Sequence, residues 1–145
     1  IVASFTGDAL DAHRLYVVEV RHPVEVGASE RAHLQQWLSR RCGYQVKAPE
    51  LDATGLKLVG GRLLPGPNGP ASFLMYETAS GERFTIYASR ANADNTQMRY
   101  ASHGNDGALF WADRGVGYVV SGAADRERLN QVARLVYEQN EKAGL

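Results

Sequence analysis

The chain has 145 residues, and its 16 Lys plus Arg balance its 16 Asp plus Glu, so its formal net charge is zero. That balance argues against a nucleic-acid footprint or a polybasic membrane patch, both of which need clustered positive charge. With 44% hydrophobic and 22% charged residues, 1–145 reads as a single globular domain able to bury a core.

The chain opens Ile1-Val2-Ala3-Ser4-Phe5, without Met and without the basic and apolar regions of a secretory signal. The expectation is a piece of a longer protein, or a processed form. No apolar run approaches the roughly 18–20 residues of a membrane helix. Val2, Phe5, Ala9, Ala12 and Tyr16 recur three or four residues apart and predict a helix over 2–16. Gly7 weakens it by about 1 kcal/mol relative to Ala. From Tyr16 to Val20 the β-branched residues favour extended chain instead. Pro23 biases His22 away from helix, so His22-Pro23-Val24-Glu25-Val26 continues as an extended arm or edge strand.

A second helix is expected to start near Ser29 as its N-cap, with Glu30 in the first turn. Leu34, Trp37 and Leu38 form its apolar stripe, Arg40 and Arg41 suit its C-terminal end, and Gly43 suits its C′ position. The middle of the chain reads as β. Residues 56–64 form one strand, and the breaker-rich Pro65-Gly66-Pro67-Asn68-Gly69-Pro70 forms a turn. Residues 72–77 are apolar on both faces, Phe73 and Met75 against Leu74 and Tyr76, as in a strand covered on both sides. Ala79-Ser80-Gly81 turns the chain back into a strand over 83–89. Further strands are expected at 97–101, 108–112 and 117–121, with turns at 103–107 and 113–115. Asp125 then caps the strongest helix, in which Leu129, Val132, Ala133, Val136 and Tyr137 form an unbroken stripe. The class is α+β. It is an antiparallel meander of five to six strands, with helices at the N-terminus, after the first extended arm and at the C-terminus, packed on one face of the sheet.

The search for chemistry returns little. His13, His22, His33 and His103 form neither a His-x-x-x-His pair nor a His-Glu-x-x-His motif. His13 and His33 are expected at the surface or boundary of their helices. Cys42, the one cysteine, excludes an intrachain disulfide framework and a multi-cysteine zinc site. The neighbouring Arg40-Arg41 favours a thiolate and the helix C-terminus opposes one, so Cys42 reads as a small apolar filler. Gly60-Gly61-Arg62-Leu63-Leu64-Pro65-Gly66 lacks the spacing of a phosphate loop and precedes a strand. It reads as a bulge or close backbone approach, and its bare backbone also leaves room for a ligand or partner. Tyr76, Tyr87, Tyr100, Trp111 and Tyr118 belong to sheet packing, one face of which could serve as a contact surface. No catalytic residue, metal ligand or cofactor follows from these patterns.

The motifs stand in a definite order: Val20-Arg21-His22-Pro23-Val24-Glu25-Val26, then Glu30, His33-Leu34 and Trp37-Leu38-Ser39-Arg40. Pro49-Glu50-Leu51, Gly55, the string Leu58 to Gly66, Met75-Tyr76-Glu77 and Thr85-Ile86-Tyr87 follow. Phe110-Trp111, Gly117-Tyr118 and Ser121-Gly122 end the series. This order resembles the extracytoplasmic domain of bacterial transmembrane anti-sigma factors, over nearly the whole chain, from about His13 to Tyr137. The family implies a cytoplasmic segment, absent here, that holds an extracytoplasmic-function sigma factor. It also implies one membrane helix and then a periplasmic domain, with residues 1–16 as the juxtamembrane helix and 17–145 as the body. It implies no catalytic residues. Cys42 departs from the family pattern, where an apolar residue sits.

The expected function is therefore a non-enzymatic periplasmic sensor or interaction domain, anchored to the inner membrane, that regulates sigma-factor release. His22, Gly60, Gly61 and Arg62 are its candidate ligand or partner surface, met by a periplasmic protein or a protease. The Pro23 arm would offer an edge to a second copy. The alternative is a soluble periplasmic domain that binds a small molecule or metal. A third reading is an enzyme whose site uses His22 or His103 with a carboxylate.

Overall fold

The structure, a computed structural model, describes residues 2–17, 24–92, 95–123 and 125–145. The N-terminal helix α1 runs Val2–Val17, followed by the short strand β1, Val26–Gly27, and the helix α2, Arg31–Cys42. Six further strands follow: β2 Lys57–Gly66, β3 Gly69–Glu77, β4 Arg83–Arg90, β5 Asn95–His103, β6 Asp106–Asp113 and β7 Val116–Ala123. The chain closes with α3, Arg126–Ala143.

The seven strands among the described residues belong to one antiparallel sheet, in the order β1-β2-β3-β4-β7-β6-β5. The fold is α+β as expected, with one strand more than the upper expected number. The additional strand is β1, part of the extended arm, which lies antiparallel to β2 with Val26 opposite Gly61 and Gly27 opposite Gly60. The rest of the arm, including His22, and the expected extension over Val18–Val20 lie outside the described residues. Tyr16 and Val17 belong to α1 rather than to an extended run. The helical stripe continues through Tyr16, which packs against Phe73 with ring centroids 5.6 Å apart.

The sheet is not one meander. It is two three-stranded meanders, β2-β3-β4 and β5-β6-β7, joined where β4 pairs with β7. Burial accounts for the inversion. Strands β4 and β7 are buried on both faces, whereas β5 carries the exposed Gln97 and Arg99 and takes the edge. A central strand needs apolar residues on both faces, and an edge strand tolerates charge.

That two-faced burial also corrects the placement of the helices. Helices α2 and α3 cover one face, where Leu34, Leu38, Leu129, Val132 and Val136 pack with Leu74, Tyr76, Ile86 and Trp111. Helix α1 covers the other, where Phe5, Ala9 and Leu10 pack with Phe73, Met75, Tyr87, Phe110 and Val119. Phe73 and Met75 point away from Leu74 and Tyr76 along β3, so the sheet needs a cover on each side. Phe5 meets Tyr87 and Phe110 edge-on at 5.6 and 5.4 Å, a favoured aromatic geometry.

The ends of the elements follow from local chemistry. Asp125 caps α3, its carboxylate accepting from the backbone N–H of Glu127 and Arg128. Gly43 closes α2 at φ 78°, its N–H donating to the Ser39 carbonyl at 3.0 Å. Ser29 does not cap α2. The chain leaves β1 through a 3₁₀ turn at Ala28–Glu30, and Glu30 stands at the N-cap with no side-chain hydrogen bond. The breaker-rich segment 65–70 is shorter as a turn than expected. Pro65 opposes Pro70 and Gly66 opposes Gly69 within the hairpin, leaving Pro67 and Asn68 as the two-residue connection.

Candidate functional site

The features of the α1 face are built from four pieces of chain: α1, the tip of the β2–β3 hairpin, the middle of β4 and the start of β6. His13 follows Ala9 by four residues, so a helix turns it to the face that Ala9 buries. It is 2% exposed, not a boundary residue as its helix suggested. The ring lies over the sheet with Nδ1 2.7 Å from Thr85 Oγ1 and Nε2 3.8 Å from Asp106 Oδ1. Sheet register assembles these partners. Thr85 of β4 opposes Ser121 of β7, and Ser121 opposes Ala108 of β6, two residues from Asp106.

Burial disfavours the imidazolium and lowers the His13 pKa to about 4. The Asp106 carboxylate works against that shift, and the Arg14 cation adds to it. In the tautomer protonated at Nε2, the Thr85 hydroxyl donates to Nδ1 and the ring N–H faces Asp106. Hydroxyl, imidazole and carboxylate are the residue types of a catalytic triad, but Thr85 and His13 are both buried. The 3.8 Å separation also exceeds hydrogen-bond reach. What the arrangement can do is hold one neutral, proton-accepting group under a docked helix.

Beside this cluster, α1 and the β2–β3 hairpin enclose a groove of about 450 Å³. Asp8, Asp11, Leu15 and Tyr16 line it from the helix, Leu64 to Pro67 from the hairpin, and Tyr87 from β4. Leu15 is 62% exposed, the one exposed large hydrophobic side chain among the described residues. Asp11 pairs with Arg14 at 3.0 Å in an exposed i,i+3 ion pair. Tyr87 is 2% exposed, and its hydroxyl has no hydrogen-bond partner among the described residues. Burial first, and then the Asp8 charge, push its pKa up to about 12, so the phenol stays protonated.

Of the residues singled out from the sequence, Arg62 meets this region. Its guanidinium lies 4.0 Å from the centre of the Tyr16 ring, a cation–π contact that braces α1 against β2. Gly60 and Gly61 face the protein's own chain. A bulge falls between Leu58 and Gly60, and Gly60 has φ 152°, which side-chain-bearing residues rarely adopt. A Cβ there would lie 2.2 Å from the Val26 carbonyl oxygen, and one at Gly61 would lie 2.9 Å from that of Phe73. The bare backbone is thus used by β1 and β3, the close-approach reading of that string. His22 lies outside the described residues, and His33 and His103 are exposed. Cys42 is buried as a free thiol, and burial pushes its pKa up despite the Arg41 charge. Among the described residues, no group of three or more His, Cys, Asp or Glu could hold a metal ion.

Sequence reasoning named His13 as a surface or boundary residue and Tyr87 as a sheet-packing residue, and it missed Thr85, Asp106 and Asp8 as their partners. The spacing from Ala9 to His13 was a usable signal; the rest depends on strand register and helix docking. Compared with models of protein families, with curated proteins and with solved structures, the chain matches none.

Proposed function

We propose that the chain is a non-enzymatic periplasmic sensor or interaction domain of a membrane-anchored anti-sigma factor, regulating release of an extracytoplasmic-function sigma factor. The sigma factor would be held by a cytoplasmic segment outside this chain, and the inner-membrane anchor would precede α1. The observation that carries the reading is the docking of α1. In the resemblance this helix is the juxtamembrane segment. Here it seals the second face of the sheet through Phe5, Ala9 and Leu10, over a His13 kept neutral by burial. A periplasmic protein, a protease or a ligand that changes this docking would change the segment leading to the membrane.

Three experiments test it. The coding sequence upstream of Ile1 should encode an apolar stretch of about 20 residues, preceded by a short polar helical segment. Affinity capture of the full-length protein should then retain a sigma factor. A start codon with neither segment, or capture without a sigma factor, rejects the proposal. An Arg62→Glu variant that folds normally should alter sigma-dependent reporter output, because it breaks the Arg62–Tyr16 brace. Unchanged output removes that surface.

The groove favours a second reading, a soluble periplasmic small-molecule-binding domain unrelated to sigma control. Its mark would be a cleavable signal peptide upstream, and a melting temperature that rises with ligand.

A further inference from the structure

We infer that the groove between α1 and the β2–β3 hairpin is a binding site for a small organic ammonium ion with an apolar body. The inference does not depend on sigma control. Three features select this chemistry. Leu15, Leu64 and the two prolines give the groove apolar walls of the kind that take a hydrocarbon or aromatic body. Among the described residues, the charged side chains lining it are the carboxylates of Asp8 and Asp11, with the Arg14 cation on Asp11 and the Arg62 cation over the Tyr16 ring. Finally, the nearly fully buried Tyr87 carries a hydroxyl with no hydrogen-bond partner among the described residues.

A buried hydroxyl without a partner is destabilising, so a ligand that supplies the partner gains what the free protein lacks. An ammonium would donate to Tyr87 Oη and lie beside the Asp8 carboxylate. An alcohol could meet the hydroxyl but would gain nothing from the charge. A carboxylate could accept the hydroxyl proton but would face two negative groups. Asp11 is partly neutralised by Arg14, so Asp8 carries most of the discrimination.

The test uses the 145-residue chain and three probes of nearly equal shape: phenethylammonium, 2-phenylethanol and 3-phenylpropionate. Each is titrated at neutral pH while backbone amide shifts are followed. Phenethylammonium should give saturable shifts confined to residues 8–16, 64–67 and 87, and bind roughly tenfold more tightly than either other probe. Asp8→Asn and Tyr87→Phe should each weaken it roughly fivefold, with melting temperature retained. Three results overturn the inference: no saturable shift with phenethylammonium, equal binding of the three probes, or binding undiminished by either substitution. Because no membrane or sigma factor is present, failure here leaves the sigma proposal standing, and the reverse also holds.

Discussion

The two faces of the sheet are built from the same strands but to different standards. Under α2 and α3 the core is large and apolar, with Trp111 stacked on Tyr118 at 5.4 Å and Leu129, Val132 and Val136 filling the layer. Polar groups on that side are mostly tied to the frame. The Tyr76 hydroxyl donates to the Pro49 carbonyl, the Tyr44 hydroxyl to that of Ala88, and Gln139 holds the Glu50 backbone at both its N–H and its carbonyl. Asn140 Nδ2 is the exception. Under α1 the same strands present Thr85, Tyr87, Ser89 and Ser121, and the last three have side-chain hydroxyls with no partner among the described residues. A buried hydroxyl without a partner is destabilising, so the α1 layer is held with less surplus than the α3 layer. A fold that must keep its core while one helix responds to a signal would divide its stability in this way.

Four perturbations, from largest to smallest expected effect, can break or sharpen this contrast. Val136→Asp places a carboxylate in the apolar layer beneath α3 and should abolish cooperative thermal unfolding, a loss of several kcal/mol. A normal transition would mean that α3 is not the core helix. Phe5→Ala empties the pocket between Tyr87 and Phe110 and should cost about 3–5 kcal/mol. The loss should appear as exchange of α1 amides while β3 and β4 stay protected. Uniform loss of protection would show that the two layers do not separate.

Acid should act on one face. Folding holds His13 neutral with its pKa near 4, against about 6.5 in the unfolded chain, so the unfolded state binds the extra proton between those values. His13 stability is therefore complete above about pH 6.5 and declines as pH falls toward about 4, by about 3 kcal/mol in all. Denaturant unfolding at stepped pH checks this, and His13→Gln should flatten that part of the profile. An equally steep decline in the variant would assign the acid sensitivity elsewhere. Smallest is Tyr87→Phe, which removes an unpartnered hydroxyl and should change stability by no more than about 1 kcal/mol, in the stabilising direction. A clear loss by calorimetry would reveal a hydrogen bond at that hydroxyl.

Much of the α3 layer was legible in the sequence. The stripe from Leu129 to Val136, the Asp125 cap and the Gly43 terminus are local features, set by spacing and by backbone chemistry within a few residues. The two-sided pattern of β3 was legible too, and it called for a cover on each face. The side taken by α1 is a non-local outcome that periodicity does not encode. The pairing of β4 with β7 likewise depends on which strands can afford burial on both faces. It brings Thr85, Ser121 and Asp106 together from three strands. Of the α1 site, the strained Gly60 was readable as a bulge and His13 was readable from its spacing to Ala9. The contact of Arg62 with Tyr16 and the groove above Tyr87 exist only once α1 is docked.

The most direct test of the two-layer contrast is native-state hydrogen exchange on the intact chain at about pH 7 and about pH 5, comparing α1 with α3 after correction for intrinsic rates. The expected result is that α1 opens at least roughly tenfold more often than α3 at neutral pH, and that acid widens the gap while α3 continues to follow global unfolding. Equal opening free energies for the two helices at both pH values would contradict it and return α1 to the status of an ordinary core helix.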